Sequence, residues 1–216
     1  MQRSAVLSFI VLAIARLTLV ADSEGSGTPW KEEGNRDRLV IYSRAHPGSA
    51  VREFKSVGAI DAPPSAVFAV LDNAEAYPQF MPYTSESRVL KKTGTYTIAY
   101  QRLELPLVDD RDYTLRSKHS RTESPSGPVY HIEWQPANDL GPAEIPGVQR
   151  VKVCEGGWLI EPTGDGRTRA TYLIYTDSGG AIPAAIANSG SRLAIRKLFA
   201  AIRKEVHTAK YAEPQG

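Results

Sequence analysis

From residue 38 onward the apolar residues of this 216-residue chain recur mostly at every second position. A period of two places alternate side chains on opposite faces of a strand. A chain that repeats it through stretch after stretch is committed to a sheet with one face toward a core. "RLVIYSRA" and "SAVREFKSVGAI" flank His46-Pro47-Gly48 and read as a hairpin. Ala62-Pro63-Pro64-Ser65 stops the second strand, and Ser65 is placed to cap a short helix through Val67, Phe68, Val70 and Leu71 that ends by Pro78. Strand-like stretches then continue for about a hundred residues. They are "SRVLKK", "TYTIAYQRLEL", "RDYTLRSKHS", "PVYHIEWQP", "VQRVKVCEGGWLIEP" and "TRATYLIYTD", joined by turn-forming residues. In the second of these, Tyr96, Ile98 and Tyr100 share one parity and Leu103 and Leu105 the other, which predicts a bulge or bend.

The rhythm changes once more, at "GGAIPAAIANSGSRLAIRKLFAAIRKEVHTAK". Pro183 suits a first helical turn, where its missing N–H costs nothing. Ile182, Ile186, Ser189 and Leu193 follow one stripe, and Leu198, Phe199, Ile202 and Val206 continue it at helical spacing. Gly190-Ser191 is a weak point where a bend is expected. Consecutive strands with short turns form an antiparallel sheet, and a large twisted sheet curls around a long amphipathic helix. The predicted fold is therefore α+β: a curved antiparallel sheet wrapped around a long C-terminal helix.

Other features narrow the function. Net charge is +2, with no basic patch interleaved with aromatics, so nucleic-acid binding is not expected. Cys154 is alone, the four histidines are far apart, and Gly156-Gly157 and Gly179-Gly180 form no phosphate-binding fingerprint. Neither a metal nor another cofactor is expected. "MQRSAVLSFIVLAIARLTLVADSEGSG" has Arg3 before an apolar run from Ala5 to Ala15, with A-x-A cleavage patterns nearby. That is the layout of a signal peptide over residues 1–21, and it predicts an exported protein, periplasmic or secreted. The competing readings are a membrane anchor and a mobile amphipathic arm, although Arg16 leaves the run short of the ~20 residues a spanning helix needs. Residues 22–35 read as a linker and 36–210 as the folded domain.

"LPLVDDRDYTLRS" (105–117), "GGWLIEP" and "TDSGGAIPAAIAN" carry a resemblance. Pro106 with Arg111-Asp112, Trp158 with Pro162, Asp177 with Gly179-Gly180, and Ile182-Pro183 through Asn188 resemble, in order and element type, the motifs of START lipid-transfer domains. These belong to the wider helix-grip superfamily, and the resemblance spreads over about residues 36–207. Ser178 departs from the usual proline, and the export-like segment replaces the N-terminal helix of eukaryotic members, so the chain resembles a bacterial-type START protein. The resemblance implies a cavity between sheet and closing helix that holds one lipid or sterol-like molecule, for lipid transport between membranes or lipid sensing, in a monomer that touches a membrane surface transiently and performs no chemistry.

Strand parity and the helix stripe nominate the cavity lining. The strand candidates are Tyr96, Ile98, Tyr100, Arg111, Tyr113, Tyr130, Ile132, Trp134, Tyr172 and Ile174, and the helix adds Ile182, Ile186, Ser189 and Leu193. Any half-buried strand favours aromatics, so each of these is equally at home in ordinary core. Arg111, carried inward with Tyr113, needs a carboxylate or several carbonyls, for which Asp109, Asp110 and Asp112 are the local candidates. The favoured reading is a structural ion pair, with a ligand anchor as the alternative. Segment 137–150, "ANDLGPAEIPGVQR", reads as a flexible lid. Two rivals to lipid carriage stand. One is a helix-grip enzyme of the polyketide cyclase or aromatase type, marked by His, Asp and Arg side chains clustered in the cavity; the other is an interaction module whose groove holds a peptide.

Overall fold

A computed structural model describes residues 28–212, apart from 107 and 181; the expected signal peptide or anchor at 1–21 lies outside the described residues. The strands are β1 (Lys31–Arg36), β2 (Leu39–His46), β3 (Ser49–Ile60), β4 (Thr84–Lys92) and β5 (Tyr96–Leu103), then β6 (Asp110–Ser124), β7 (Gly127–Pro136), β8 (Val148–Arg150), β9 (Val153–Pro162) and β10 (Thr168–Asp177). Helix α1 (Pro64–Asp72) and the short α2 (Tyr77–Phe80) lie between β3 and β4. The chain closes with α3 (Ala184–Glu205) and α4 (Ala209–Ala212). Among the described residues there is one sheet, in the order β1-β2-β3-β10-β9-β7-β6-β5-β4, with β8 pairing parallel to the start of β6. All other pairings are antiparallel. This is the helix-grip α+β fold that the alternation predicts.

The C-terminal half of α3 carries the core. Ile195, Phe199 and Ile202, with Val206 at the C-cap, are buried in one cluster with Phe54 of β3, Trp158 and Ile160 of β9, and Val67, Val70 and Leu71 of α1. The Phe199 ring lies 5.4 Å from that of Trp158 and over Gly58, where an added Cβ would stand 2.6 Å from the ring. Gly156 is bare for a similar reason. The Trp134 indole lies across it, and a Cβ there would come within 2.6 Å of the ring.

Three expectations need correction. Residues 31–35, expected in the linker, form β1 together with Arg36; their sequence is polar because β1 is an edge strand, and backbone pairing to β2 needs no apolar face. Ser65 does not cap α1; Pro63 holds the N-cap position with no side-chain hydrogen bond, and Ser65 is exposed inside the first turn. Segment 137–150 is not a lid over the cavity. Asn138 accepts from Thr114 N and donates to Val151 O, and Gly141 sits against Thr114. Thr114 has the parity opposite to Tyr113 and Leu115, so the segment covers the outer face of the sheet.

Candidate functional site

Between the inner face of the sheet and the N-terminal half of α3 lies a cavity of about 540 Å³, within the range that holds small hydrophobic ligands. Of the nominated residues, Tyr113 of β6, Ile132 and Trp134 of β7, and Tyr172 and Ile174 of β10 line it. So do Ile182, just ahead of α3, and Ile186 and Leu193 along it. Trp134, Tyr172 and Trp158 form a continuous aromatic wall, with ring centroids 5.8 and 4.5 Å apart, where cavity gives way to core.

Six nominated residues lie elsewhere. Tyr96, Ile98 and Tyr100 face outward, and Thr97, Ala99, Gln101 and Leu103 line the cavity in their place, followed by Leu105 on the same parity. The expected bend at Leu103 is therefore not needed. The outward tyrosines have their own partners: the Arg116 guanidinium lies over Tyr96 and that of Arg88 over Tyr100. The Tyr100 hydroxyl donates to Asp112 at 3.2 Å. Tyr130 is core, stacked on Phe68 of α1 at 4.6 Å, because α1 covers that end of the inner face. Ser189 is exposed and off the cavity; the i+4 step from Ile186 falls on Gly190, which lines it with Ala187, Ser191 and Ala194. Arg111 is buried but not part of the wall, and the ion pair expected of it belongs to a neighbour. Arg150 donates to Asp112 from Nε at 2.7 Å and Nη2 at 3.0 Å, on the outer face.

The wall also holds polar groups that sequence reasoning did not place there. The Tyr113 hydroxyl donates to Gln101 Oε1 at 2.9 Å. His119 Nδ1 lies 3.1 Å from Asp72 Oδ1, close enough for an ion contact though not aligned as a hydrogen bond, and both residues line the cavity. Burial pushes the His119 imidazole below its ordinary 6.5, outweighing the opposing pull of Asp72. Burial likewise pushes up the hydroxyls of Tyr77, Tyr113 and Tyr172 and the thiol of Cys154, so these groups stay neutral. His119 was visible as a strand histidine, but its partner on α1 is a tertiary neighbour that no spacing announces. Among the described residues no cluster of His, Cys, Asp and Glu is arranged to hold a metal, and no helix is long and apolar enough to cross a membrane.

Residues 60–203 match the family described as polyketide cyclase/dehydrase and lipid transport. The chain belongs to that family. An uncharacterized protein of Pseudomonas aeruginosa is 26% identical over 188 residues, which are 87% of this chain and 88% of that one. The crystal structure of a STAR-related lipid transfer protein from Xanthomonas axonopodis matches with a TM-score of 0.74 at 25% identity, over 83% of this chain and 99% of that chain. Human STARD10 matches with a TM-score of 0.73 at 19% identity, over 84% of this chain and 74% of its own, and shows likeness of fold. The START resemblance of the motifs thus holds for family and fold, and together they support a domain that binds a hydrophobic ligand.

Proposed function

We propose that the protein binds a single lipid or similarly apolar molecule in this cavity and carries it to or from a membrane without altering it. The observation that carries the reading is the cavity itself, aromatic and aliphatic through most of its wall and walled on one side by the small residues of α3. Its border is apolar as well: Val108, Ile186 and Leu193 all line it and are all exposed, Ile186 to 62%. An apolar rim around an apolar cavity suits transient contact with a lipid surface during loading. The relative from Xanthomonas axonopodis, described as a STAR-related lipid transfer protein, supports the same reading. The test is transfer of fluorescent lipid between two vesicle populations. Transfer that rises with protein concentration supports carriage, and capture without delivery reduces the reading to binding.

A second reading, an enzyme of the cyclase type, draws on the His119–Asp72 pair in the wall. A neutral, half-buried imidazole beside a carboxylate is a competent proton acceptor near neutral pH. His119→Gln distinguishes the two: lipid transfer survives it under the carrier reading, whereas a cyclase would lose turnover of a polyketide-type substrate.

A further inference from the structure

Arg111 extends the cavity-facing row of β6 one position beyond Tyr113 and is only 3% exposed. The carboxylates near it in sequence are engaged elsewhere or do not reach it. Asp112 pairs with Arg150 and Asp110 with Arg102, while Asp109 offers only its backbone carbonyl, which accepts from Arg111 Nη1. Among the described residues that carbonyl is the one hydrogen-bond acceptor Arg111 has, and it forms no salt bridge; Nε is buried without a partner. A guanidinium presents five N–H donors in a fixed fork, and burying it so sparsely satisfied is costly unless something else completes it.

Its surroundings fit an anion. Nη2 stands 3.5 Å from where a Cβ on Gly180 would be, at a turn of bare backbone with φ +73° that only glycine adopts easily. Gln149, paired with Arg111 across β8 and β6, has Oε1 3.9 Å from the same point, an acceptor that adds nothing to anion binding, while its Nε2 donates to the Arg150 carbonyl. The turn leads into α3, whose first turn has no side-chain cap and carries the positive end of the helix dipole. Val108, Ser178 and Ile182, close in sequence to these groups, line the cavity.

We propose that Arg111 anchors the anionic head group of the cavity's ligand, which is therefore an amphiphile ending in a carboxylate or a phosphate monoester. The guanidinium fork matches the paired oxygens of either group. This rests on the hydrophobic-ligand reading above and adds the polar end that reading lacks.

Trp134 and Trp158 stand in the cavity wall, so their fluorescence reports filling. Oleate, oleoyl lysophosphatidate and oleyl alcohol share one chain and differ only at the head. At least one of the two anions should bind wild type about ten-fold or more tighter than the alcohol; which one does so separates carboxylate from phosphate. Arg111→Gln should bring that anion to the alcohol's affinity and leave the alcohol unchanged. Arg111→Lys keeps the charge without the fork and should lose part of the preference, which covers the case in which Arg111→Gln does not fold. Equal binding of all three probes by wild type, equal weakening of anion and alcohol by Arg111→Gln, or full preference in Arg111→Lys would each overturn the assignment while leaving the cavity reading intact. If wild type binds none of the three, the cavity reading itself fails and this proposal falls with it.

Discussion

Removing Arg150 should unfold the protein far more readily than its place on the outer face of the sheet suggests. Asp112 is fully buried and accepts from Arg150 Nε at 2.7 Å, Arg150 Nη2 at 3.0 Å and Tyr100 Oη at 3.2 Å. Nη2 also donates to the carbonyls of Pro142 and Ala143, pinning segment 137–147 onto β6. Arg150→Met keeps the aliphatic stem and removes these bonds, leaving a buried carboxylate with one hydroxyl donor. Orphaning one member of a buried ion pair costs about 3–5 kcal/mol. For a chain of this size that lowers the melting temperature by roughly 6–20 °C. Asp112→Asn added to Arg150→Met removes the stranded charge, so the double variant should be more stable than Arg150→Met alone. Urea denaturation and thermal melts measure both. Affinity for a cavity ligand, per folded molecule, should be unchanged, because the pair lies on the face away from the cavity. A loss below about 1 kcal/mol, typical of an exposed pair, would refute the reasoning, as would ligand loss at unchanged stability.

The two halves of α3 should respond oppositely to substitution: Gly190→Trp, where an added Cβ meets nothing within 4 Å, should block ligand uptake without lowering the melting temperature, whereas Phe199→Ala should cost about 3–5 kcal/mol in a urea titration. Normal binding by Gly190→Trp would show that the ligand does not occupy this cavity. His119 predicts a pH dependence. Its folded form titrates below the ordinary 6.5, so the unfolded chain binds more protons below about pH 6.5 and stability falls as pH drops through that window; His119→Gln should flatten that limb of a melt-versus-pH profile, and an unchanged limb would contradict the assignment. If residues 1–21 are a signal peptide, N-terminal sequencing of the exported protein should begin near Asp22 or Arg16, and intact Met1 on exported or membrane-bound protein would favour an anchor.

The sheet and the closing helix were legible because each rests on a period the sequence repeats many times. What escaped depends on which face of a strand is covered, and by what. Tyr96 and Tyr100 suggested an inward face because aromatics mark buried surface. On β5 the outer face is covered too, by Arg88, Arg116 and the Asp112–Arg150 pair, so both parities carry buried residues and Thr97 and Ala99 line the cavity. β1 was missed because an edge strand held by backbone bonds needs no alternation. On α3 the i+3 and i+4 positions diverge after Ile186, and the stripe continues through Gly190 and not Ser189. For Arg111 and Asp112, adjacent in the chain, sequence supplied three nearby carboxylates but not Arg150, which reaches Asp112 from 38 residues away.

The most direct test of a hydrophobic-ligand carrier is what the protein holds when it is isolated. Native mass spectrometry of the full chain expressed in its own host, with organic extraction of the same sample, should show one bound molecule per protein, released by the solvent. Gly190→Trp purified in parallel should arrive empty. Wild-type protein that is uniformly ligand-free, and that takes up none of the oleyl probes, would contradict the account at its centre.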